Sequence, residues 1–343
     1  MRLIILSGAG LSVGSGLPTY EQLKRDPDFI GFYSSVGDEA FEHINVLTDK
    51  FKTVKPNHAH YQLELLERYC EAVDINYVHY TLNVDNLIEQ RGSSVHHLHG
   101  CITDPKTIIE NRDLPNFDLL SIDWQPADCL LVLGVSNMGF PLAALEANVM
   151  ANGASFVNYN LEHNSDLVSK TIVGELVNTF TLLNISYLKR VEFITFPVGD
   201  YDVDIRTFSI NGKVYEIYFS PSKEISVSDE ELACIKAVIG CEICEKNSFE
   251  VKFDLQLNRE ADSIYESPKD NFSRRDLNLL GALVALAMAA YANLRNVEVY
   301  TASAVRKPLV CFYNHLGRKY APLLNFEAHC GIGPEGVNYV FTK

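Results

Sequence analysis

The 343-residue chain has no stretch of about 20 uninterrupted apolar residues, the length a helix needs to cross a bilayer. The nearest approach, Leu279 to Ala292, is an unbroken run of apolar residues and glycine bounded by Asn278 and Asn293, and it reads as a buried core helix. The chain also lacks a basic stripe. Asp and Glu total 44 against 29 Lys and Arg, a formal net charge of -15 that repels a phosphate backbone, so direct nucleic-acid binding is not expected. No secretion signal is expected either: the apolar run in Met1 to Leu6 is too short, and Ser-Gly-Ala-Gly follows at once, so a buried first strand is the expected reading. The eight cysteines are scattered, which suits reduced thiols in the cytoplasm rather than a disulfide framework. Repeats and low-complexity tracts, the marks of solenoids and disordered linkers, are absent.

What is present is a globular composition, 47% apolar and 21% charged, long enough for one large domain or two ordinary ones. The first half alternates strand and helix. Arg2–Ser7, Asn76–Tyr80, Cys129–Gly134 and Ser155–Tyr159 read as strands; Ala59–Cys70, a helix from Pro141 to about Ala151, and Asp166–Leu183 read as helices. The expected architecture is α/β, a Rossmann-like parallel sheet. The pattern changes near Pro197. Asn211-Gly212 between two apolar runs marks a hairpin, Ser228 with Glu231 a capping box for a helix ending near Gly240, and Ser273 a cap for the long apolar helix. Phe249–Leu257, Val297–Thr301, Leu309–Tyr313 and Val337–Phe341 read as strands. A smaller α+β domain is therefore expected at 200–343, after a first domain at 1–195.

Four segments of the first half carry chemistry. Ser7-Gly8-Ala9-Gly10-Leu11-Ser12 follows a strand, and glycines there let backbone approach a diphosphate, with successive N–H groups aimed at the anion. It is not the G-x-G-x-x-G fingerprint, because Val13 stands where the third glycine belongs. Pro56-Asn57-His58-Ala59-His60 is a turn and helix start. Asn83 and Asp85 follow a strand at its C-terminal end, where ligands bind in open α/β sheets; an ordinary Asx-type helix cap fits the same residues. In His96-His97-Leu98-His99-Gly100, alternation would put His97 and His99 on one face as two metal ligands. No acidic residue or further histidine stands nearby at helical ligand spacing, so no metal is expected, and a single histidine acting as general base is the better functional reading.

In order and approximate spacing these segments resemble the sirtuin family. Gly8-Ala9-Gly10-Leu11-Ser12 with Ser15-Gly16-Leu17-Pro18 is similar to its G-A-G-x-S…S-G-I-P. Pro56 to His60, the Asn83/Asp85 segment and His99-Gly100 follow as its next three motifs, then Gly134-Val135-Ser136 with Pro141 and Val157-Asn158. The resemblance covers roughly residues 1–190. It implies NAD⁺ as substrate and cleavage of the nicotinamide–ribose bond. Gly8, Ala9, Gly10 and Ser12 would hold the pyrophosphate, and Ser136 and Asn158 the adenosine half. Asn83 and Asp85 would line the nicotinamide–ribose pocket, Asp85 reading the carboxamide, and His99 would be the general base.

The departures shape the expected activity. Pro18 is followed by Thr19-Tyr20-Glu21, without the arginine of protein-deacylating sirtuins, and Leu82 replaces their glutamine. The four-cysteine zinc module has little room: only Cys101 follows His99-Gly100, and Cys129 comes 28 positions later. Water then becomes the simplest nucleophile, and the expected function is an NAD⁺ hydrolase resembling the sirtuin-like, NAD-depleting effectors of bacterial anti-phage defence. The alternative is an NAD-dependent lysine deacylase. Residues 200–343 match no family motif; Cys241 and Cys244 suggest half a zinc site, and this domain is expected to bind a regulatory partner or drive homo-oligomerisation.

Overall fold

The structure is a computed structural model and describes residues 1–112, 119, 121–136, 140–189, 192–224, 228–260, 272–304 and 306–343. The chain folds as two units, Met1–Asn184 and Ile185–Lys343. The break falls about ten residues before the expected boundary, which separates a first domain at 1–195 from a second at 200–343.

In the first unit six parallel strands form one sheet: β1 (Arg2–Ser7), β2 (Asn76–Thr81), β3 (His96–His97), β4 (Cys129–Leu133), β5 (Ser155–Asn160) and β6 (Thr171–Val173), in the order β3-β2-β1-β4-β5-β6. The fold is thus the Rossmann-like α/β arrangement expected. The central pair explains itself. Leu3 to Ser7 and Cys129 to Leu133 are buried throughout, as strands covered on both faces must be, and they pair in register from Leu3↔Cys129 to Ser7↔Leu133. The chain runs outward from β1 to β3 and then returns to β4, so strand order reverses between β1 and β4. That reversal opens a crevice at their carboxyl ends, where ligands bind in this class of sheet.

Helix His58–Ala72 starts at Asn57, whose side chain accepts from the Ala59 and His60 N–H groups while His60 Nδ1 accepts from the Asn57 N–H. Between β1 and this helix lie three helices not read from sequence: Tyr20–Leu23, Pro27–Ser34 and Gly37–Phe51. Their apolar faces form a small separate core of Leu17, Phe32, Ile44, Leu47 and Phe51 with Leu87, Ile102 and Ile108.

The expected helix Asp166–Leu183 is not one helix. The segment holds β6, a short helix Leu176–Thr179 and a 3₁₀ turn Leu182–Asn184. Thr171-Ile172-Val173 is a β-branched run suited to a strand, and Gly174 at φ 140° cannot continue a helix.

The second unit holds a mixed sheet of seven strands in the order β12-β13-β11-β10-β9-β8-β7: β7 (Ile194–Val198), β8 (Tyr201–Ile210), β9 (Lys213–Pro221), β10 (Ser248–Leu255), β11 (Val299–Ser303), β12 (Glu327–Ile332) and β13 (Asn338–Thr342). Only β10 and β11 pair in parallel; the rest of the sheet is antiparallel. Asn211 and Gly212 both take positive φ, 52° and 72°, as the β8–β9 hairpin requires. The capping boxes at Ser228/Glu231 and Ser273/Asp276 both form, and Gly240 closes the first of these helices at φ 78°.

Helix Arg274–Arg295 carries the long apolar run. It is long and apolar enough to cross a membrane, yet 78% of its most apolar window is buried inside the protein, as a core helix. The expected strand Leu309–Tyr313 is instead part of helix Lys307–Lys319. Pro308 fits its first turn, and the buried residues Phe312, Tyr313, Leu316 and Tyr320 recur at helical spacing; five apolar residues alone do not separate the two periods.

Candidate functional site at the sheet switch point

The residues after β1, β2, β4 and β5 converge on one cavity of about 530 Å³. Gly8, Ala9, Gly10 and Ser12 line it from the first loop, Leu82 to Asp85 from the second, Gly134 to Ser136 from the third, and Asn160 with Leu161 from the fourth. His99 joins them, and the small helical core supplies an apolar side from Leu23, Phe29, Phe32, Ile44, Leu47 and Phe51.

Packing, more than anion recognition, dictates the glycines of the first loop. A Cβ on Gly10 would lie 2.7 Å from Gly134 Cα, and one on Gly8 2.8 Å from the Gly134 carbonyl oxygen. The Gly8 N–H donates to the Leu133 carbonyl at 2.9 Å and the Gly10 N–H to that of Gly134 at 3.0 Å. Leu11 and Ser12 donate back to Gly8 and Ala9. The expected row of N–H groups aimed at an anion is therefore not formed as such. These donors lock the loop onto the end of β4, and the loop presents its bare glycine surface to the cavity.

Asn83 and Asp85 are both buried and meet through Ser12. The Ser12 hydroxyl donates to Asp85 Oδ2 at 2.8 Å and accepts from Asn83 Nδ2 at 3.2 Å, while the same Asn83 amide donates to the Gly8 carbonyl at 3.1 Å. Asp85 Oδ1 accepts from the Leu87 N–H at 3.1 Å. Burial pushes the Asp85 carboxyl above its ordinary value, and the Ser12 and Leu87 donors hold it part-way down. Beneath the loop, the Ser7 hydroxyl donates to Thr81 Oγ1, which accepts the Asn83 N–H at 3.1 Å, and His79 Nε2 lies 2.9 Å from Ser7 Oγ. Burial pushes His79 down to about 3, so this buried imidazole stays neutral.

His99 is half-buried in the cavity wall. Burial lowers its pKa, and the Asn111 carbonyl 3.5 Å from Nδ1 opposes that only weakly. The imidazole is thus neutral near pH 7, the form a general base requires. His97 does not share its face, because β3 ends at His97 and the alternation stops there. Its Nδ1 meets the Asn83 carbonyl at 2.8 Å and its Nε2 the Glu89 carboxylate at 2.6 Å. Burial draws His97 down, but hydrogen bonds to Cys101, Glu89 and the Asn83 carbonyl outweigh it and raise the imidazole to about 10.

Two residues need correction or addition. Asn158 does not reach the cavity: it sits inside β5, fully buried, donating to Thr171 Oγ1 at 3.1 Å. The strand runs two residues further, so Asn160 is the asparagine at its end; it lines the cavity and donates to the Val135 carbonyl at 2.9 Å. Arg112 is the only guanidinium among the described lining residues, steadied by the Phe32 and Ser35 carbonyls at 3.0 Å. Nothing in its local sequence marks it; only the folded chain brings it to the wall. The suggested half zinc site of the second unit lies partly outside the described residues, since the Cys244 side chain is among those not described. His329, which with Cys330 is a conceivable partner for that pair by residue type, instead meets Thr342 Oγ1 at 3.3 Å.

No protein-family model matches the chain. Over its N-terminal half it is similar in sequence to curated NAD-dependent protein deacylases. That of Vibrio cholerae is 25% identical over 213 residues, 47% of this chain and 82% of the relative. That of Campylobacter jejuni is 34% identical over 112 residues, 30% of this chain and 47% of the relative. Among solved structures, a Sir2 homolog–NAD complex is 21% identical, covering 51% of this chain and 84% of its own at a TM-score of 0.36. Sir2Tm bound to a propionylated peptide is 24% identical, covering 51% and 89% at the same score. Likeness at that level is too loose to bear on the site.

Proposed function

We propose that the first unit binds NAD⁺ in the switch-point cavity and breaks its nicotinamide–ribose bond, with an acylated lysine as acceptor: an NAD-dependent protein deacylase. The observation that carries this reading is convergence. An amide (Asn83), a buried carboxylate (Asp85) and a neutral imidazole (His99) share one cavity with the glycine loop, at the sheet position where dinucleotides bind. The volume suits a ligand of that size class. The Asp85 carboxylate would read the carboxamide and help stabilise oxocarbenium character at the anomeric carbon. His99 would take the proton of a ribose hydroxyl. Ser136 and Asn160 would face the adenosine half, and Arg112 supplies the positive charge that the Thr19-Tyr20-Glu21 segment does not. Two things favour an acyl-lysine acceptor over water: the names of the curated relatives, and the apolar side of the cavity, which suits an acyl chain.

The second reading is hydrolysis, with water as acceptor. It is favoured by the short span from Cys101 to Cys129, which leaves little room for a four-cysteine module, and by the departures after Pro18 and at Leu82 from the pattern of protein-deacylating sirtuins. On that reading the enzyme is a regulated NAD⁺-depleting defence effector, restrained by a partner or by self-assembly through the second unit. Incubation of the full chain with NAD⁺, with and without an acetyl-lysine peptide, separates the two. Deacylation requires nicotinamide release that depends on the peptide and a matching loss of its acyl group. Equal release without peptide selects hydrolysis. No nicotinamide in either arm, or full activity in Asn83→Ala, overturns NAD⁺ cleavage at this site.

A further inference from the structure

A second constellation stands beside the cavity and plays no part in the reading above. Its members are Glu89, on the 3₁₀ turn Glu89–Arg91, His97, at the end of β3, and Cys101. Their ligand atoms all lie within 4.8 Å of one another, the only such group of three among the described residues. We propose that Glu89, His97 and Cys101 bind a divalent cation of the Zn²⁺ class, with water in the fourth position.

Three features of the geometry support this. First, the His97 tautomer is preset. With Nδ1–H directed at the Asn83 carbonyl 2.8 Å away, Nε2 is left to face Glu89 and Cys101, and a backbone carbonyl on the remote ring nitrogen is the usual support of a metal-binding histidine. Second, the donor set is selective. One thiolate, one imidazole and one carboxylate suit Zn²⁺ and its neighbours rather than Mg²⁺ or Ca²⁺, and the two anionic ligands balance the double charge. Third, the spacing is close to that needed. Tetrahedral bonds of about 2.0–2.3 Å put ligand atoms roughly 3.3–3.8 Å apart; the 2.6 Å His97–Glu89 pair must open to admit the ion, while the widest separation in the group, within 4.8 Å, must close. Glu89 is exposed and free to make that movement, while the Cys101 loop is already held. The Cys101 N–H donates to Thr107 Oγ1 at 3.0 Å, and the Ile102 N–H to the Val84 carbonyl at 2.8 Å.

Without metal, a proton on Nε2 joins His97 to Glu89. Binding replaces that proton with the cation and releases it to solvent, together with the thiol proton wherever Cys101 carries one. The ion would tie the Asn83 loop to the segment carrying His99, because His97 holds the Asn83 carbonyl and Cys101 lies two residues beyond His99. This site stands or falls independently of NAD⁺ cleavage.

The test uses the full chain, reduced and stripped of metal, with Co²⁺ as optical probe. One equivalent should produce a thiolate-to-cobalt charge-transfer band. Cys101→Ser should abolish it, and Glu89→Gln, a change at an exposed side chain, should weaken binding by about 10-fold or more. In the unmutated chain, Zn²⁺ should protect Cys101 from iodoacetamide while the exposed Cys311 stays labelled. This labelling arm and Glu89→Gln decide the matter if Cys101→Ser fails to fold. A missing band, a band that survives Cys101→Ser, unchanged affinity in Glu89→Gln, or equal labelling of Cys101 with and without Zn²⁺ overturns the proposal.

Discussion

Three glycines of the first unit allow the two costs of adding a methyl group to be measured apart. Gly10 has no positive φ, but a Cβ there meets Gly134 Cα at 2.7 Å, so Gly10→Ala is a steric change alone. Gly16 is exposed, takes φ 89° and has nothing within 4 Å of a Cβ, so Gly16→Ala is a conformational change alone. Gly134 combines both, with φ 65° and a contact at 2.6 Å to Gly10 Cα. The left-handed region costs a non-glycine residue about 1–2 kcal/mol, which is the expected loss for Gly16→Ala. Overpacking costs about 1–3 kcal/mol where side chains yield; here the obstacle is backbone held by a ladder of hydrogen bonds, so Gly10→Ala belongs at or above 3 kcal/mol. Gly134→Ala should lose roughly 4–5 kcal/mol, the two terms together. Urea denaturation of the full chain, following the transition of the first unit, provides the ranking. Gly10→Ala must also separate the first loop from β4, breaking the Gly10 N–H bond to the Gly134 carbonyl, so ligand binding in the cavity should weaken in Gly10→Ala and persist in Gly16→Ala. If Gly10→Ala unfolds no more easily than Gly16→Ala, the argument that these glycines are required by loop-to-strand packing is wrong.

Other consequences follow from the titrating groups of the same unit. Because burial lowers the pKa of His99, the acidic limb of the NAD⁺-cleavage profile should lie below pH 6.5, and a limb centred above 6.5 would count against His99 as the base. Burial depresses His60 to about 4 and His79 to about 3, so the unfolded chain binds these protons first. The stability they contribute is complete above pH 6.5 and declines as pH falls below it, by up to about 1.4 kcal/mol per pH unit for each histidine; His79→Asn should flatten that slope in denaturation midpoints measured from pH 7 to 5. Ser12→Ala removes a donor to Asp85 and an acceptor for Asn83 at once, and a loss of about 1–3 kcal/mol is expected, with the Asp85 carboxyl driven higher still. An unchanged unfolding midpoint would show that Ser12 is not their common partner.

The parts of this fold that could be read in advance are those whose cause is local. The continuous apolar runs of β1 and β4, the Asn211-Gly212 turn and the capping boxes at Ser228 and Ser273 each state their structure within a few residues. Two elements are misread for different reasons: the 18-residue Asp166–Leu183 segment shows helical spacing that Gly174 and the β-branched run before it interrupt, and in the five apolar residues Leu309–Tyr313 strand and helix periods fit equally, with Pro308 deciding for the helix. The site divides along the same line. Asn83, Asp85, His99 and the glycine loop stand where strands end, so motif and topology bring them to one cavity. The function of the glycines is another matter. Which N–H groups remain for an anion depends on β4, more than a hundred residues away in sequence, and β4 takes two of them. On the adenosine side the resemblance points to Asn158, but Asn158 lies inside β5, and Asn160 at the strand's end is the asparagine that lines the cavity. Arg112 and the helical core at residues 20–51 carry no motif at all, and chain topology alone brings them to the wall. The histidine cluster shows the limit most sharply. His97 was paired with His99 by strand alternation, yet its partners are Glu89 and Cys101, gathered from a turn before the strand and a loop after it. A strand that ends at His97, two residues short of His99, leaves His97 in a cluster of its own beside the substrate cavity, and no spacing rule that assumes a continuing strand can anticipate that exchange.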